Sequence, residues 1–506
     1  MSYHNTESTG VVQGRRDRRR GRGLPARLRT LAAIAAAALV AGCAVGPDFK
    51  RPDAPNVDGY LAGALPLQTA ASSGPLGDGQ RIVSAPVPAA WWTELHSPKL
   101  DAMIELALRA SLTLSAAQAT LRQAQQHLAA QAGSTQWPQV SAGLGAQRQG
   151  INTAAMGQPG GQRTFDLYSA SIAVGYNLDL SGGIRRELEA LAAQVDYQSF
   201  QLEAARLNLV ANVALAAISQ AQLTAQAEAS DQILRAQQEQ LDIAVLRRDA
   251  GAASDNDVLA LQSQTERTRA SIPPLTNRIE QTRHLLAQLT GRPPASADDE
   301  PFTLADFSLP VELPLTVPSE LARRRPDIRA SEALLHAASA QVGVAVSRQY
   351  PSLTLSASLG SQALTTAGLF GAGSFVWGLA GQLAQPLFNP GLRAGTRAAQ
   401  AGLDAADANY RQTVLQALRN VADVLRTVEN DALAQQSTVA AADAARQSLG
   451  LVEQQYALGA ASYLQLLTAQ QQDQQLRIEL AASRAQRLAN SVALYQAMGG
   501  DWSDPA

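Results

Sequence analysis

The pattern of apolar and polar residues switches between two periods along the chain, and the same succession of patterns occurs twice. Four segments alternate apolar with polar or small residues, which is the period of a β-strand with two different faces. They are residues 138–149, 167–180, 351–361 and 374–387. A proline-free stretch rich in Ala, Gln, Leu and Arg follows each pair, at 183–250 and 391–458. Because these residues are strong helix formers, each stretch predicts a helix about 100 Å long, at about 1.5 Å per residue.

A duplication relates the two halves of the chain. An aromatic residue followed by proline opens the first alternating segment of each half, and a Gly-Ala-Ala-Ser turn follows each long helical stretch. Residues 97–300 and 301–506 are therefore predicted to form two structural repeats. Each repeat is expected to contain a helix, a β-hairpin and a long helical hairpin. The β-hairpins are predicted at 137–181 and 350–388, and the tips of the helical hairpins near residues 251 and 459.

The returning arms of the two helical hairpins differ from each other. Both arms start after a serine, Ser254 or Ser462, which predicts an N-cap. The first arm contains Pro273-Pro274, where the second has Ala481-Ala482. Because proline lacks an N–H group and clashes with the preceding turn, the pair predicts an interruption or a kink in the first arm only.

The N-terminal residues predict an exported lipoprotein. An Arg-rich segment precedes an uncharged run at 31–41, which is too short to span a bilayer, and small residues precede Cys43, the only cysteine. This pattern resembles a lipobox, which implies a signal peptide at 1–42 and covalent lipid, N-palmitoyl and S-diacylglycerol, on Cys43. Residues 43–96, rich in Pro and Gly, are expected to form an extended tether. The basic cluster lies within the predicted signal and the net charge is −2, which argues against nucleic-acid binding.

The four alternating segments have the length of tilted membrane-spanning strands, about 9–11 residues or slightly more. Each carries one apolar face and one small or polar face, and aromatic residues gather near the segment ends. Four strands cannot close a barrel and lipid does not tolerate open edges, so the chain is expected to oligomerise. A dimer would supply eight strands and a trimer twelve, and both numbers occur in known barrels. Small residues on the polar face, such as Gly143 and Gly175, favour an open lumen and hence the trimer.

Five short motifs occur in order along the mature chain. They are residues 43–52 after the signal, Trp91-Trp92, and residues 291–294, 324–332 and 495–502. Together they resemble the TolC-like outer-membrane factor family, in particular its efflux lipoprotein branch, called the NodT type. The resemblance implies an α+β membrane protein. In it a homotrimer forms a twelve-stranded transmembrane β-barrel, with four strands per chain, continuous with a long periplasmic α-helical barrel.

The resemblance also implies a function, a location and partners. The protein would be the passive outer-membrane exit duct of a tripartite efflux system for small molecules or drugs. Its partners would be a periplasmic adaptor protein and an inner-membrane pump of the resistance-nodulation-division class. The residue after Cys43 is alanine rather than the aspartate of inner-membrane lipoproteins, which favours the outer membrane, with contact to its lipid.

A candidate gate lies at the tips of the helical hairpins. By resemblance, Tyr456, Leu464, Thr468 and Gln471 occupy gate-lining positions in the second hairpin. In the first hairpin a threefold ring of carboxylates from Asp255 and Asp257 would favour cations and hold the tip shut. The same two aspartates also suit the first turn of a helix, where the helix dipole favours them.

Other classes of protein receive less support from the residues. His96, His127, His284 and His336 are scattered without metal-ligand spacing, and no cluster of a nucleophile and a base stands out, so neither an enzyme nor a metal site nor a cofactor is predicted. A type I secretion exit channel and a structural lipoprotein that spans the envelope remain the alternatives to an efflux duct.

Overall fold

Two long helical hairpins and one four-stranded sheet make up most of the chain. A computed structural model describes residues 44–64, 66–152, 154, 161–296 and 299–500. The predicted signal peptide and Cys43 lie outside the described residues.

Four helices form the two hairpins, and their positions confirm the prediction made from helix-forming residues. Helices α1 (Pro98–Ala110) and α2 (Leu112–Thr135) precede them in the chain. The four helices of the hairpins are α3 (Gly183–Asp249), α4 (Asp255–Leu289), α7 (Pro390–Ala457) and α8 (Tyr463–Ala497). The two intervening helices are α5 (Pro318–Arg324) and α6 (Pro326–Ser347). With 67 and 68 residues, α3 and α7 are each about 100 Å long at about 1.5 Å per residue.

Matching turns close the two hairpins. Gly251 and Gly459 adopt the left-handed conformation, with φ of 75° and 76°, which ends the long helix without the strain that a side chain would cause. Ser254 and Ser462 then cap the returning helices, and each belongs to a capping box, completed by Asp257 in the first turn and by Gln465 in the second. The predicted N-caps are therefore confirmed.

The returning arm of the first hairpin does not break at its two prolines, so the predicted interruption is wrong. Helix α4 continues through Pro273 and Pro274. Proline removes the hydrogen bonds that the carbonyls of Arg269 and Ala270 would otherwise accept. Both of these residues are exposed, so water can reach the freed carbonyls.

The sheet consists of four strands, which confirms the four predicted from alternation. They are β2 (Gln139–Asn152), β3 (Gln162–Leu178), β5 (Ser352–Ala363) and β6 (Phe375–Ala384). Their order in the sheet is β2-β3-β5-β6, and every neighbouring pair is antiparallel. Strands β3 and β5 join the two repeats in the middle of the sheet. Strands β2 and β6 form its edges, each with one paired side.

The N-terminal segment is folded onto the helices where the sequence predicts an extended tether. A short strand β1 (Arg81–Val83) pairs in parallel with β4 (Glu312–Pro314). Trp91 begins a 3₁₀ turn, is 2% exposed, and stacks on Tyr495 of α8 with ring centroids 5.2 Å apart. Burial of large apolar side chains holds this part of the segment against the core.

The main core surrounds the middle of α3, between the sheet and the hairpin tips. It joins α1, α3, α7, α8 and the N-terminal segment. By length and composition α3 is also apolar enough to cross a membrane, with a mean hydropathy of 1.3 over its most apolar stretch. Its apolar residues, such as Val213 and Ile218, are buried in this core, which accounts for that composition.

Candidate functional site

The register of the sheet separates apolar from polar side chains on two faces. Residues directly opposite each other form rows across the four strands, and one such row is Ala142, Ile172, Leu359 and Trp377. The adjacent row, on the other face, is Ser141, Ala173, Ser358 and Gly378. The alternation within each strand is therefore in phase across the whole sheet, which gives one apolar face and one face of small or polar residues.

The apolar face is not covered by any other described part of the chain. Leu144 is 85% exposed, Leu379 77% and Trp377 72%. All residues of β6 and nearly all of β2 are exposed. An apolar surface of this size marks contact with a membrane or with another protein.

Charged side chains are confined to one end of the sheet. Within the four strands the charged residues are Arg148, Arg163 and Asp166, all near the β2–β3 loop. The Arg148 guanidinium lies 3.8 Å from the Asp166 carboxylate. Strands β5 and β6 carry no charged residue. The central rows therefore offer only apolar side chains to one side and uncharged side chains to the other.

The segment after Cys43 is fixed beside the junction between the sheet and α3. The backbone N–H of Val45 donates to the carbonyl of Ser181, and Arg186 forms ion pairs with Asp48 and Glu189. Burial raises the pKa of Glu189, but hydrogen bonds and charges from Arg186 and His336 outweigh it and lower that pKa overall. We name residues 44–51 the strap.

Two further contacts hold the strap. The Phe49 ring stacks on His336 of α6 with centroids 4.3 Å apart, and Arg51 pairs with the largely buried Glu332. No local sequence pattern predicts these contacts, because they join segments nearly 300 residues apart along the chain. His336, which the sequence does not predict to be a metal ligand, contacts Glu189 at 2.9 Å.

The six candidate gate residues lie at or near the hairpin tips, but in different environments. Asp257 closes the capping box with Ser254, whereas the Asp255 side chain is 85% exposed and lies 3.9 Å from Arg248. Leu464 is 70% exposed. The Thr468 hydroxyl donates to the carbonyl of Leu464, and the Gln471 amide donates to Gln264 of α4 at 3.3 Å.

A contact between the two hairpins at the tip involves a residue that the sequence did not single out. The Arg247 guanidinium, at the end of α3, lies 5.5 Å from the centroid of the Tyr456 ring, at the end of α7. The Tyr456 and Tyr463 rings lie 6.4 Å apart. Tyr463 packs beside Ala244 and Val258. Burial raises the pKa of Tyr463 to about 12, with smaller contributions from Tyr456 and Asp257. We name Arg247, Tyr456 and Tyr463 the tip tie.

The fold and these surfaces together define a class of protein. A sheet with one apolar face, one polar face and two open edges, joined to helices about 100 Å long at about 1.5 Å per residue, is typical of a channel that spans an outer membrane and extends below it. The sequence profile described as "Outer membrane efflux protein" matches residues 103–292 and 317–500, and the chain belongs to that family.

Curated relatives match most of the chain. The pyoverdine export outer membrane protein OpmQ of Pseudomonas putida is 32% identical over 422 residues, which cover 81% of this chain and 88% of the relative. The toluene efflux pump outer membrane protein TtgC of Pseudomonas putida is 30% identical, with 94% and 96% covered. Nodulation protein T of Rhizobium leguminosarum bv. viciae is 28% identical, with 94% of each chain covered.

Solved structures share the fold. The outer-membrane channel OprN superposes with a TM-score of 0.80 at 28% identity, covering 91% of this chain and all of the other. CusC superposes with a TM-score of 0.78 at 22% identity and 91% coverage of this chain, which supports the fold alone. The chain is thus an outer-membrane channel of an efflux pump, with the TolC-like arrangement of long helices and four antiparallel strands, and it is not an enzyme.

Proposed function

We propose that three copies of the chain assemble into one continuous duct, with a twelve-stranded barrel in the outer membrane and a helical barrel below it. The observation that carries this proposal is the sheet with two open edges, β2 and β6, and an uncovered apolar face. Open edges are not tolerated in lipid, so β2 of one copy has to pair with β6 of the next.

The polar face favours three copies over two. An eight-stranded barrel has an interior just wide enough for its side chains to fill, whereas a larger number of strands leaves a lumen. The inward face would carry glycine, serine and alanine at most positions, for example Gly143, Gly175 and Ser358. Such small side chains do not fill a barrel, and they line a duct instead.

Disulfide trapping between β2 and β6 tests this assembly. Ser141→Cys is combined in turn with Val376→Cys, Gly378→Cys, Ala380→Cys and Gln382→Cys, all on the polar face. We expect that one of these pairs, upon mild oxidation, yields a covalent trimer on a denaturing gel. Ala142→Cys with Gly378→Cys is the control, because its side chains lie on opposite faces. Covalent dimers as the largest product would contradict the trimer.

We further propose that the mature N-terminus is anchored by N-palmitoyl and S-diacylglycerol lipid on Cys43, which follows a signal peptide at 1–42. The strap supports this proposal, since Ala44 lies against Gly182, directly beyond the end of β3. An acyl chain attached one residue earlier would start at the level where the barrel meets the periplasm. Several acyl chains together give a lasting anchor, where one chain alone is marginal.

The partners we propose are a periplasmic adaptor protein and an inner-membrane pump of the resistance-nodulation-division class, and the cargo a small molecule. The relatives named for toluene efflux and for pyoverdine export support a small cargo. The central rows of the polar face are uncharged, which agrees with a duct that does not select its cargo by charge. We further propose that residues 97–300 and 301–506 form the two structural repeats, each of which contains one long helical hairpin.

For the gate, we propose that the tip tie holds the two hairpins together in the closed duct. Leu464, Thr468 and Gln471 would line the constriction, and Asp255 would supply an exposed carboxylate ring. Asp257 is assigned mainly to capping, because Gln465 has the same role in the second hairpin, where no ring of charge is formed. The tie is weak enough to open, since an exposed cation–π contact contributes about 0.5–1 kcal/mol.

Conductance in planar bilayers tests the gate. Tyr456→Ala removes the ring between Arg247 and Tyr463 and is expected to raise the open population of each chain's tip about two- to fivefold, the equivalent of the one cation–π contact that each chain loses. Leu451→Ala, an exposed position on the same helix, is the matched control. Equal conductance of both variants would contradict the role of the tie.

Asp255→Ala is expected to reduce cation selectivity, and unchanged selectivity would exclude the carboxylate ring.

A further inference from the structure

One arginine lies on the polar face of the sheet, at the end that is farthest from the helices. Arg163 is the second residue of β3, and β3 runs from there toward the start of α3. Arg163 is paired with Ile151, and this register places it on the same face as Ser171 and Ala173. The residue is exposed. In the proposed duct Arg163 therefore lies at the extracellular mouth, on the side of the lumen.

Arg163 lies beyond the part of the sheet in which all four strands are paired. Strand β5 pairs with β3 only as far as Tyr168, so residues 162–167 of β3 pair with β2 alone. From Tyr168 to Arg163 the distance along the strand is about 17 Å, at about 3.3 Å per residue. A guanidinium stays protonated in such a wet position. The mouth therefore carries a permanent positive charge from each chain.

No carboxylate on the polar face can neutralise Arg163 at this end of the sheet. The two β-hairpins with their loops, residues 137–178 and 350–388, contain only three charged residues, Arg148, Arg163 and Asp166. Asp166 is directly opposite Arg148 on the other face, and the two side chains approach to 3.8 Å. Neighbouring copies in the proposed trimer have the same residues and supply no further carboxylate. The counterion of Arg163 at the mouth has to come from solution or from the cargo.

The next acidic residue along β3 is too far away to act on the mouth. Asp179 follows the other end of the strand and pairs with Arg185 at 3.4 Å. It is about 50 Å from Arg163 along the strand, at about 3.3 Å per residue. Salt screens charges in water over about 8 Å at physiological ionic strength. The field at the mouth is therefore set by Arg163.

We propose that Arg163 makes the extracellular mouth of the duct selective for anions. This inference rests on the proposed trimer, in which three copies of Arg163 form one ring of positive charge around the lumen. Rings of arginine or lysine favour anions in pores, and charge that lines an opening raises the local concentration of ions of opposite sign. Cargo with a carboxylate, sulfonate or phosphate group gains contact with this ring as it leaves, and external cations are repelled. The uncharged central rows add no such preference.

Reversal potentials of single channels in planar bilayers, measured under a gradient of potassium chloride, test this inference. Arg163→Gln is expected to lower the permeability ratio of chloride to potassium about twofold or more, because surface potentials of this kind change local ion concentrations by such factors. Arg163→Lys keeps the charge and is expected to match the parent. Arg163→Glu is expected to lower the ratio further. All of these channels keep Asp255, so the carboxylates at the tip contribute equally to each.

A matched control removes charge from the other face of the same hairpin. Arg148→Gln combined with Asp166→Asn removes the paired charges and is expected to leave the permeability ratio unchanged. The salt concentration provides a second check. The difference between the parent and Arg163→Gln is expected to shrink between about 0.1 M and about 1 M salt, because the screening length falls from about 10 Å to about 3 Å.

The outcomes separate this inference from the trimer on which it rests. Channels of Arg163→Gln with an unchanged permeability ratio would overturn the inference and leave the trimer intact, since channels still form. An equal shift in Arg163→Lys would overturn it as well, because the shape of the side chain and not its charge would then matter. So would an equal shift in the Arg148 and Asp166 double variant. Failure of the trimer, and of the ring with it, is detected separately by the disulfide trapping between β2 and β6.

Discussion

Ile172→Arg is expected to prevent stable insertion of the channel into the outer membrane, whereas Ser171→Arg, one residue earlier, leaves insertion intact. Ile172 lies in the central strand β3 between Ala142 and Leu359, on the apolar face, and is half exposed in the single chain. An arginine on the lipid face near the bilayer midplane costs about 2–4 kcal/mol, and a trimer would carry three of them. Ser171 lies on the polar face, where an arginine would project into a wet lumen.

The measurement is the amount of heat-modifiable oligomer in outer-membrane fractions, with the two variants expressed at equal levels. Ile172→Arg is expected to reduce this amount to a small fraction of that of the parent. Ser171→Arg is expected to match the parent in amount and to change only the ion selectivity of the channel. Equal loss of oligomer in both variants would contradict the assignment of the two faces. The opposite result would mean that the face of Ser171 contacts lipid and that the face of Ile172 lines the lumen.

The strands and their faces could be predicted from the sequence, because one physical requirement fixes both. Alternation has a period of two, and a slip of one residue would move every apolar side chain to the other face. The row of Ala142, Ile172, Leu359 and Trp377 shows this requirement satisfied across all four strands. The long helices were equally predictable, since α3 and α7 end at glycines and their partners begin at capping serines.

Features that depend on distant contacts could not be predicted in the same way. The strap is held by Arg186, His336 and Glu332, which lie far from it in sequence and carry no local pattern. The tip tie depends on Arg247, one of many arginines in the chain. Its contact with Tyr456 exists only because the two hairpins end side by side, which no local pattern predicts. The interruption predicted from the proline pair was wrong. Local propensity predicts a break there, but a helix that is exposed to water at this point tolerates the two prolines.

The candidate gate lies between these two cases. The sequence allows both a gating and a capping role for Asp257, and the geometry favours capping because Gln465 occupies the equivalent place in the other repeat. The duplication thus identifies which features both halves need for folding. Residues that differ between the halves at the tip, such as Asp255 with its exposed carboxylate, are the candidates for a specific function.

Arg487→Met is expected to be the most destabilising single change outside the membrane. Arg487 of α8 is 2% exposed, and its guanidinium donates to the Gln435 side chain at 2.7 Å and to the Asp78 carbonyl at 2.8 Å. It thereby joins α7, α8 and the N-terminal segment, and no carboxylate in the described part of the chain is in hydrogen-bond contact with it. Burial lowers the pKa of Arg487, and Asp78 opposes that effect. A methionine fills similar space but leaves acceptors without donors, at about 1–3 kcal/mol each.

Arg484→Met is the matched control for that change. Arg484 lies one turn earlier on α8, and its buried Nε atom has no acceptor among the described residues, so its removal leaves fewer hydrogen-bonding groups unsatisfied. Replacing a poorly paired polar group with an apolar one is nearly neutral. We expect Arg487→Met alone to lower the thermal midpoint and to expose the bond after Leu76, which is 8% exposed in the native chain, to chymotrypsin. If both variants unfold at the same temperature and both resist chymotrypsin, the N-terminal segment is held by its apolar contacts around Trp91 and not by the Arg487 guanidinium.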